Sequence, residues 1–173
     1  KESGYATDLL SKHATDFIAR HKNQPFFLYL AHAAPHDPWQ GRDPHQKRRP
    51  TEIYREMIEI LDESVGHVLD TIKKCGLERN TLVIFCSDNG AAAPRGFPAN
   101  GSLQGNKGDV LEGGHRVPLM VSWPGVIAPG TTNTKSVMTM DLFPTVANLA
   151  RARLPVGHAI DGVDLTPLLT GST

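Results

Sequence analysis

Two cysteines in 173 residues, Cys75 and Cys86, are too few for a disulfide framework. Cys86 falls inside an apolar run, where a thiol acts as a small hydrophobe, so the redox compartment stays open. Charge of one sign is also missing: eighteen basic and eighteen acidic residues cancel. No overall field therefore draws the chain to nucleic acid or to an anionic membrane. The single basic cluster, Gln46-Lys47-Arg48-Arg49, lies between Pro44 and Pro50 and reads as a solvated loop. No stretch reaches the roughly 18 apolar residues of a membrane span, and no signal peptide, internal repeat or low-complexity tract is visible. The chain opens at Lys1 without methionine, in the approach to a helix, and is expected to be a piece of a longer protein. What remains, 39% hydrophobic and 21% charged, is the composition of an ordinary globular domain, and one domain over 1–173 is the default.

Periodicity organises that domain. Thr7 and Asp8 are placed to cap a helix running to about His21, with Leu10, Ala14, Phe17 and Ile18 on one face. Asn23-Gln24-Pro25 breaks it. Phe26 to Ala31 has strand composition and leads into Ala34-Pro35-His36-Asp37-Pro38-Trp39, whose prolines forbid continued regular structure. Residues 51–75 repeat apolar side chains at three- and four-residue steps from Tyr54 to Ile72, which predicts a long amphipathic helix. Its stripe is expected to pack on a sheet, with Gly76-Leu77 as a Schellman stop. Two further strands are predicted at about 82–87 and 118–122, flanking a glycine-rich loop over 90–116, longer than compact domains usually carry without a function. Asp141 is expected to cap a short helix over 142–150, and Asp161–Leu169 to form a further docked segment. The alternation predicts an α/β fold, a mainly parallel sheet with helices on both faces.

Chemistry concentrates where strands end. Ser87-Asp88-Asn89-Gly90 follows the apolar run Thr81 to Cys86, and in open α/β sheets ligands bind beyond the carboxyl ends of strands. Asp88 and Asn89 offer hard oxygens there, with Gly90 able to turn the backbone so that both converge on one cation. The same four residues also suit a plain turn, since Asx side chains bond their own backbone. His36 follows the first predicted strand. Lys107 lies in the glycine-rich loop, where a lysine is ordinarily just solvated.

Taken in order, these pieces resemble the sulfatase family of the alkaline-phosphatase-like superfamily. The resemblance is carried by Pro25–Ala31, Pro35-His36-Asp37-Pro38, Asn80–Gly90, Gly105-Asn106-Lys107-Gly108, Glu112–Pro118, Trp123-Pro124-Gly125, Met140–Thr145 and Asp161-Gly162. It implies an incomplete alkaline-phosphatase-like α/β fold and hydrolysis of a sulfate ester. It further implies a calcium site to which Asp88 and Asn89 contribute, and contacts from His36 and Lys107 to the sulfate group. Those residue types suit the task, because hydrolysis must neutralise charge on non-bridging oxygens and stabilise a departing alkoxide. Glu112 is expected to brace the loop, His115 stands between a site role, which its place in the matching stretch allows, and orienting the loop, and His32 and the other histidines are expected to be structural.

The departures define what this chain lacks. The family's nucleophile is a formylglycine made from a cysteine or serine in Cys/Ser-x-Pro-x-Arg, and neither Cys75-Gly76-Leu77 nor Cys86-Ser87-Asp88 fits. The early aspartate pair of the metal site and the Gly-Lys-x-His segment are also absent, and Asp109 stands where the family often has a hydroxyl. The reading is a partial catalytic domain, without the nucleophile-bearing N-terminal part and the C-terminal subdomain, inactive alone and binding calcium weakly or not at all. The rivals are a phosphatase or phosphodiesterase of the same superfamily, which Asn89 argues against, and a truncated non-catalytic α/β module. The resemblance further implies a secreted, periplasmic or lysosomal parent.

Overall fold

A computed structural model of the chain describes residues 2–154 and 156–171. They form two compact units, one running through Thr81 and joined by Asn89–Pro118, the other made of Leu82–Asp88 and the chain from Leu119 onward.

The first unit is built on two packed helices, α1 (Ala6–His21) and α2 (Pro50–Lys74). Helix α1 buries Thr7, Ser11, Ala14 and Ile18, a stripe at three- and four-residue steps whose small side chains let α2 approach closely. From α2 come Tyr54, Met57, Ile60, Ser64 and Ile72. Ile18 and Ile60 are 1% and 2% exposed, each contributing about 1.5–3 kcal/mol by burial. The buried stripe of α2, expected against a sheet, packs on α1, while Ile58 and Leu69 stay partly exposed.

The caps differ in part from expectation. Helix α1 starts one residue before Thr7, with Tyr5 at the N-cap and no side-chain cap. Thr7 is buried, and Asp8 instead accepts two hydrogen bonds from Arg42, at 2.9 and 2.7 Å, while Arg42 also donates to Glu63 of α2 at 2.7 Å. That bidentate contact holds the Asp8 carboxyl below its usual range. At the start of α2, Pro50 needs no N–H partner, and the Glu52 carboxylate reaches back to the Arg49 N–H at 3.0 Å. Its end is the Schellman motif expected: the Leu77 N–H donates to the Ile72 carbonyl at 3.0 Å, the Gly76 N–H to Lys73 at 2.9 Å, and Gly76 has φ +70°.

The second unit holds strands β1 (Val83–Cys86) and β2 (Leu119–Ser122), paired in register Val83 to Ser122 through Cys86 to Leu119. Their pairing is antiparallel, which corrects the expected parallel relation of these two segments. A parallel pair needs a crossover; here the chain between them returns through a loop whose only α-helix is the one-turn α3 (Glu112–His115), and the second strand comes back in the opposite sense. Residues 26–31 form no strand either. They show a period-two exposure, with Phe27 and Tyr29 70% and 81% exposed between less exposed neighbours, but no ladder partner among the described residues. Strand composition without a facing strand leaves an unpaired segment. No described helix is long and apolar enough to cross a membrane.

Beyond β2, a 3₁₀ turn (Thr139–Asp141) leads into α4 (Leu142–Leu149), and α5 (Thr166–Thr170) packs on α4. Asp141 does not cap α4 with its side chain. Its carboxylate accepts the N–H groups of Met138 at 2.7 Å and Val163 at 2.9 Å, and so clasps the 161–165 segment onto the turn. Thr145, fully buried, donates to the Asp141 carbonyl at 2.6 Å and accepts the Leu165 N–H at 2.8 Å. The docked segment predicted from the sequence is held by these two side chains. Thr145→Val keeps the volume but strands the Leu165 N–H, and is expected to cost about 1–3 kcal/mol in urea unfolding. Faster hydrogen exchange at the Leu165 amide, with α1 unaffected, is the accompanying signature.

Candidate active site

His36 and Lys107, 71 residues apart in sequence, meet in the first unit: Lys107 Nζ lies 3.0 Å from His36 Nε2. His36 sits in the proline-rich turn after residues 26–34, where its own N–H donates to the Ala33 carbonyl at 2.9 Å. The Ala34-Pro35 and Asp37-Pro38 peptide bonds on either side are cis. His36 Nδ1 is 2.6 Å from the Asp37 carbonyl, and a carbonyl only accepts, so Nδ1 carries the proton. Nε2 then presents a lone pair, to which the Lys107 ammonium donates. The tautomer follows from these two partners. The pair is open to solvent, as a site that must admit a substrate requires.

The loop that delivers Lys107 is tightly knit. The Lys107 N–H donates to the Ala91 carbonyl at 3.1 Å, and Asn106 and Asp109 exchange hydrogen bonds, the Asn106 N–H to Asp109 Oδ2 at 2.8 Å and the Asp109 N–H to the Asn106 carbonyl at 2.9 Å. Asn100 clasps both sides, accepting the Ala91 N–H at 3.2 Å and donating to the Gly105 carbonyl at 2.8 Å. Gly105 and Gly108, flanking the lysine, have φ of +89° and +92°, a region glycine enters freely. Asp109, the mismatch noted in the sequence, uses its carboxylate to hold the turn under Lys107.

Gly90 is set by a close backbone contact. Its φ is not in the left-handed region. A side chain on it would collide with the Gly113 carbonyl, while the Gly90 N–H donates to the Gly114 carbonyl at 2.9 Å. Glu112 pairs with Arg116 at 3.1 Å, and His115 Nε2 lies 3.3 Å from the Val110 carbonyl, so both make contacts within their own segment.

Asp88 follows β1 at the end of its segment and is exposed; Asn89 is half-buried and opens the segment that carries the Lys107 loop. As a carboxylate and a carboxamide they have the donor chemistry calcium takes, but they are two oxygens against the six to eight it needs. No group of three His, Cys, Asp or Glu residues set to hold a metal occurs among the described residues.

Four residues before His36, His32, expected to be structural, has a partner that the sequence did not single out. His32 Nε2 lies 3.1 Å from the Oγ of Ser64, and burial pushes the His32 imidazole down from its ordinary range. The available signal was Ser64 itself, a polar residue on the apolar stripe of α2. Because His32 stays neutral in the folded chain where the unfolded chain binds a proton, its contribution to stability is present above about pH 6.5. That contribution is lost as the pH falls from there through the lower folded-state value. Urea unfolding at pH 7.5 and 5.5 is expected to show a smaller acid loss in His32→Gln than in the parent chain.

A model of the family described as Sulfatase matches residues 1–152. The chain is 41% identical to the steryl-sulfatase of Rattus norvegicus over 95% of its length and 40% identical to arylsulfatase A of Bos taurus over 97%. It spans only 30% and 32% of those two proteins. Among solved structures it superposes with TM-score 0.87 and 38% identity on Ps i-CgsB in complex with k-i-k-neocarrahexaose, covering 96% of this chain and 39% of that one.

Proposed function

This chain belongs to the sulfatase family, and we propose that it supplies the sulfate-gripping part of a sulfate-ester hydrolase, with His36 and Lys107 at the reacting group and Asp88 and Asn89 as calcium ligands. The observation that carries this reading is the 3.0 Å contact between Lys107 Nζ and His36 Nε2. Two residues matched to the family's sulfate-binding positions, far apart in sequence, are neighbours in space. The relatives' names include a sterol and an aryl class, so the group they share is the sulfate ester, and the proposal is for that group.

The chemistry of the pair follows from its hydrogen bonds. Lys107 is a compact fixed charge suited to neutralising a non-bridging sulfate oxygen. Of its three N–H bonds one goes to the His36 Nε2 lone pair, and another is free to be given to a departing alkoxide oxygen, which leaves a neutral amine. The Asp37 carbonyl holds Nδ1–H and so keeps the lone pair on Nε2, the face turned to Lys107. Calcium, held by Asp88 and Asn89 with further oxygens from elsewhere in the parent protein, would supply additional charge neutralisation at the sulfate. The nucleophile, formylglycine, is assigned to a segment outside the 173 residues, together with the remaining aspartates and the rest of a mainly parallel sheet.

The test is turnover of a chromogenic sulfate ester. The 173-residue chain alone is expected to give none above background and at most millimolar-range calcium affinity, since two protein oxygens leave the rest of the shell to water. The same chain joined to an upstream segment bearing Cys-x-Pro-x-Arg and the aspartate pair, with the cysteine converted, is expected to hydrolyse it. Turnover by the isolated chain, or none by the joined and modified protein, overturns the reading.

A further inference from the structure

Residues 26–34 precede the turn that carries His36 without a ladder partner among the described residues, so the position of His36 depends on side-chain anchors. Three are present. At the far end the Phe26 ring meets Phe17 of α1 edge-on, with centroids 5.9 Å apart. Beyond the turn Trp39 packs edge-on against Tyr54 of α2 at 6.0 Å. Immediately before the turn, His32 bonds Ser64, which is 2% exposed on the buried stripe of α2. This bond is directional and lies four residues before His36, as the bond from Tyr5 Oη to the Gln40 carbonyl at 2.9 Å lies four residues after it, and the turn following His32 is closed by the bond from the His36 N–H to Ala33.

We propose that His32 is a positioning residue for the site: hydrogen-bonded to Ser64, it fixes the turn so that His36 Nε2 stands opposite Lys107. The proposal rests on the reading of His36 and Lys107 as site residues. The cost visible at His32 supports it. Its Nδ1 is buried with no hydrogen-bond partner, a penalty that an apolar side chain of similar size would avoid. What the imidazole provides in return is a directional bond to a rigid helix. A site of this kind tolerates misplacement of only about half an ångström in its polar groups, and a short turn transmits any shift at His32 directly to His36. The chemistry sorts the two nitrogens. With Nε2–H donated to the Ser64 hydroxyl, the orphan at Nδ1 is a lone pair and no proton is left without an acceptor.

The experiment reads His36 itself. Imidazole ¹⁵N spectra of the 173-residue chain at pH 7.5 are expected to show His36 held in the Nδ1–H tautomer. His32→Leu and Ser64→Ala, which remove the bond from either side, are expected to move the His36 signals toward the tautomer mixture of a free imidazole, with exposed His45 unchanged. His32→Gln keeps a donor near the Nε2 position and is expected to restore most of the parent pattern, which a loss of packing alone would not predict. Should His32→Leu fail to fold, Ser64→Ala carries the test, since it removes one oxygen and leaves the helix intact. Unchanged His36 signals in folded Ser64→Ala overturn the proposal, as does a parent spectrum without the Nδ1–H tautomer. Sulfate-ester turnover is a separate readout: its absence in the joined protein, with His36 signals moving as stated, overturns the functional reading and leaves the positioning role in place.

Discussion

Replacing Lys107 with methionine in the chain joined to its nucleophile segment is expected to lower kcat for a sulfate ester about 10²–10³-fold, the usual cost of losing one charged donor aimed at the transition state. Methionine keeps the length and apolar stem while removing only the ammonium. The fold should not register the change, because the hydrogen bonds that tie the loop run through the Lys107 backbone N–H and through Asn100, Asn106 and Asp109 rather than through Nζ. Lys107 Nζ has His36 Nε2 as its partner, so His36→Ala should fall in the same range. Since the two groups are hydrogen-bonded to each other, the double variant should lose much less than the product of the two single losses. Steady-state kinetics with circular dichroism as a fold control decide it. Full turnover in folded Lys107→Met would remove Lys107 from the site.

Much of the helical framework could be read from spacing. The two helices and the glycine stop after α2 are local, written in three- and four-residue steps and in one left-handed residue, but the buried stripes are shifted: α1 buries Thr7 and Ser11 where Leu10 and Phe17 were expected, and α2 buries Ile60 and Ser64 while Ile58 and Leu69 stay exposed. Strand direction could not be read in this way. Composition marks residues 83–86 and 119–122 as strands, but whether they run parallel depends on how the connecting chain returns, and residues 26–31 have strand composition with no ladder beside them. Glycine roles were legible only in kind. Sequence marks Gly90 as special, yet a turn and a close backbone contact call for the same residue, and only coordinates separate them. The pairing of His36 with Lys107 came from the ordered resemblance, since no local rule links residues 71 apart. His32 was expected to be structural, but its partner Ser64 was missed, because a serine on an apolar stripe is commonplace until its partner is known.

The same substitution at two glycines should separate those two uses of glycine. Gly76 has φ +70° and nothing near its missing side chain, so Gly76→Ala is expected to cost only the conformational penalty, about 1 kcal/mol. Gly90→Ala is a collision. A methyl there would overlap the Gly113 carbonyl, with the Gly114 backbone directly behind it, and neither is the end of a flexible side chain that can swing away. Gly113 is itself held: its N–H donates to the Gln104 carbonyl at 2.6 Å, and its own Cα packs on the Gly105 carbonyl so closely that a side chain there would clash too. Relief therefore requires the 104–114 segment to move as a body, breaking the bond from the Gly90 N–H to Gly114 and displacing the turn that carries Lys107. The expected cost is about 3 kcal/mol or more, at the upper end for overpacking. Limited trypsin digestion reports it locally: cleavage after Lys107 should accelerate strongly in Gly90→Ala and hardly at all in Gly76→Ala, with urea unfolding giving the global loss. Equal protection of Lys107 in both variants would mean that the loop does not depend on the close approach of Gly90 to Gly113.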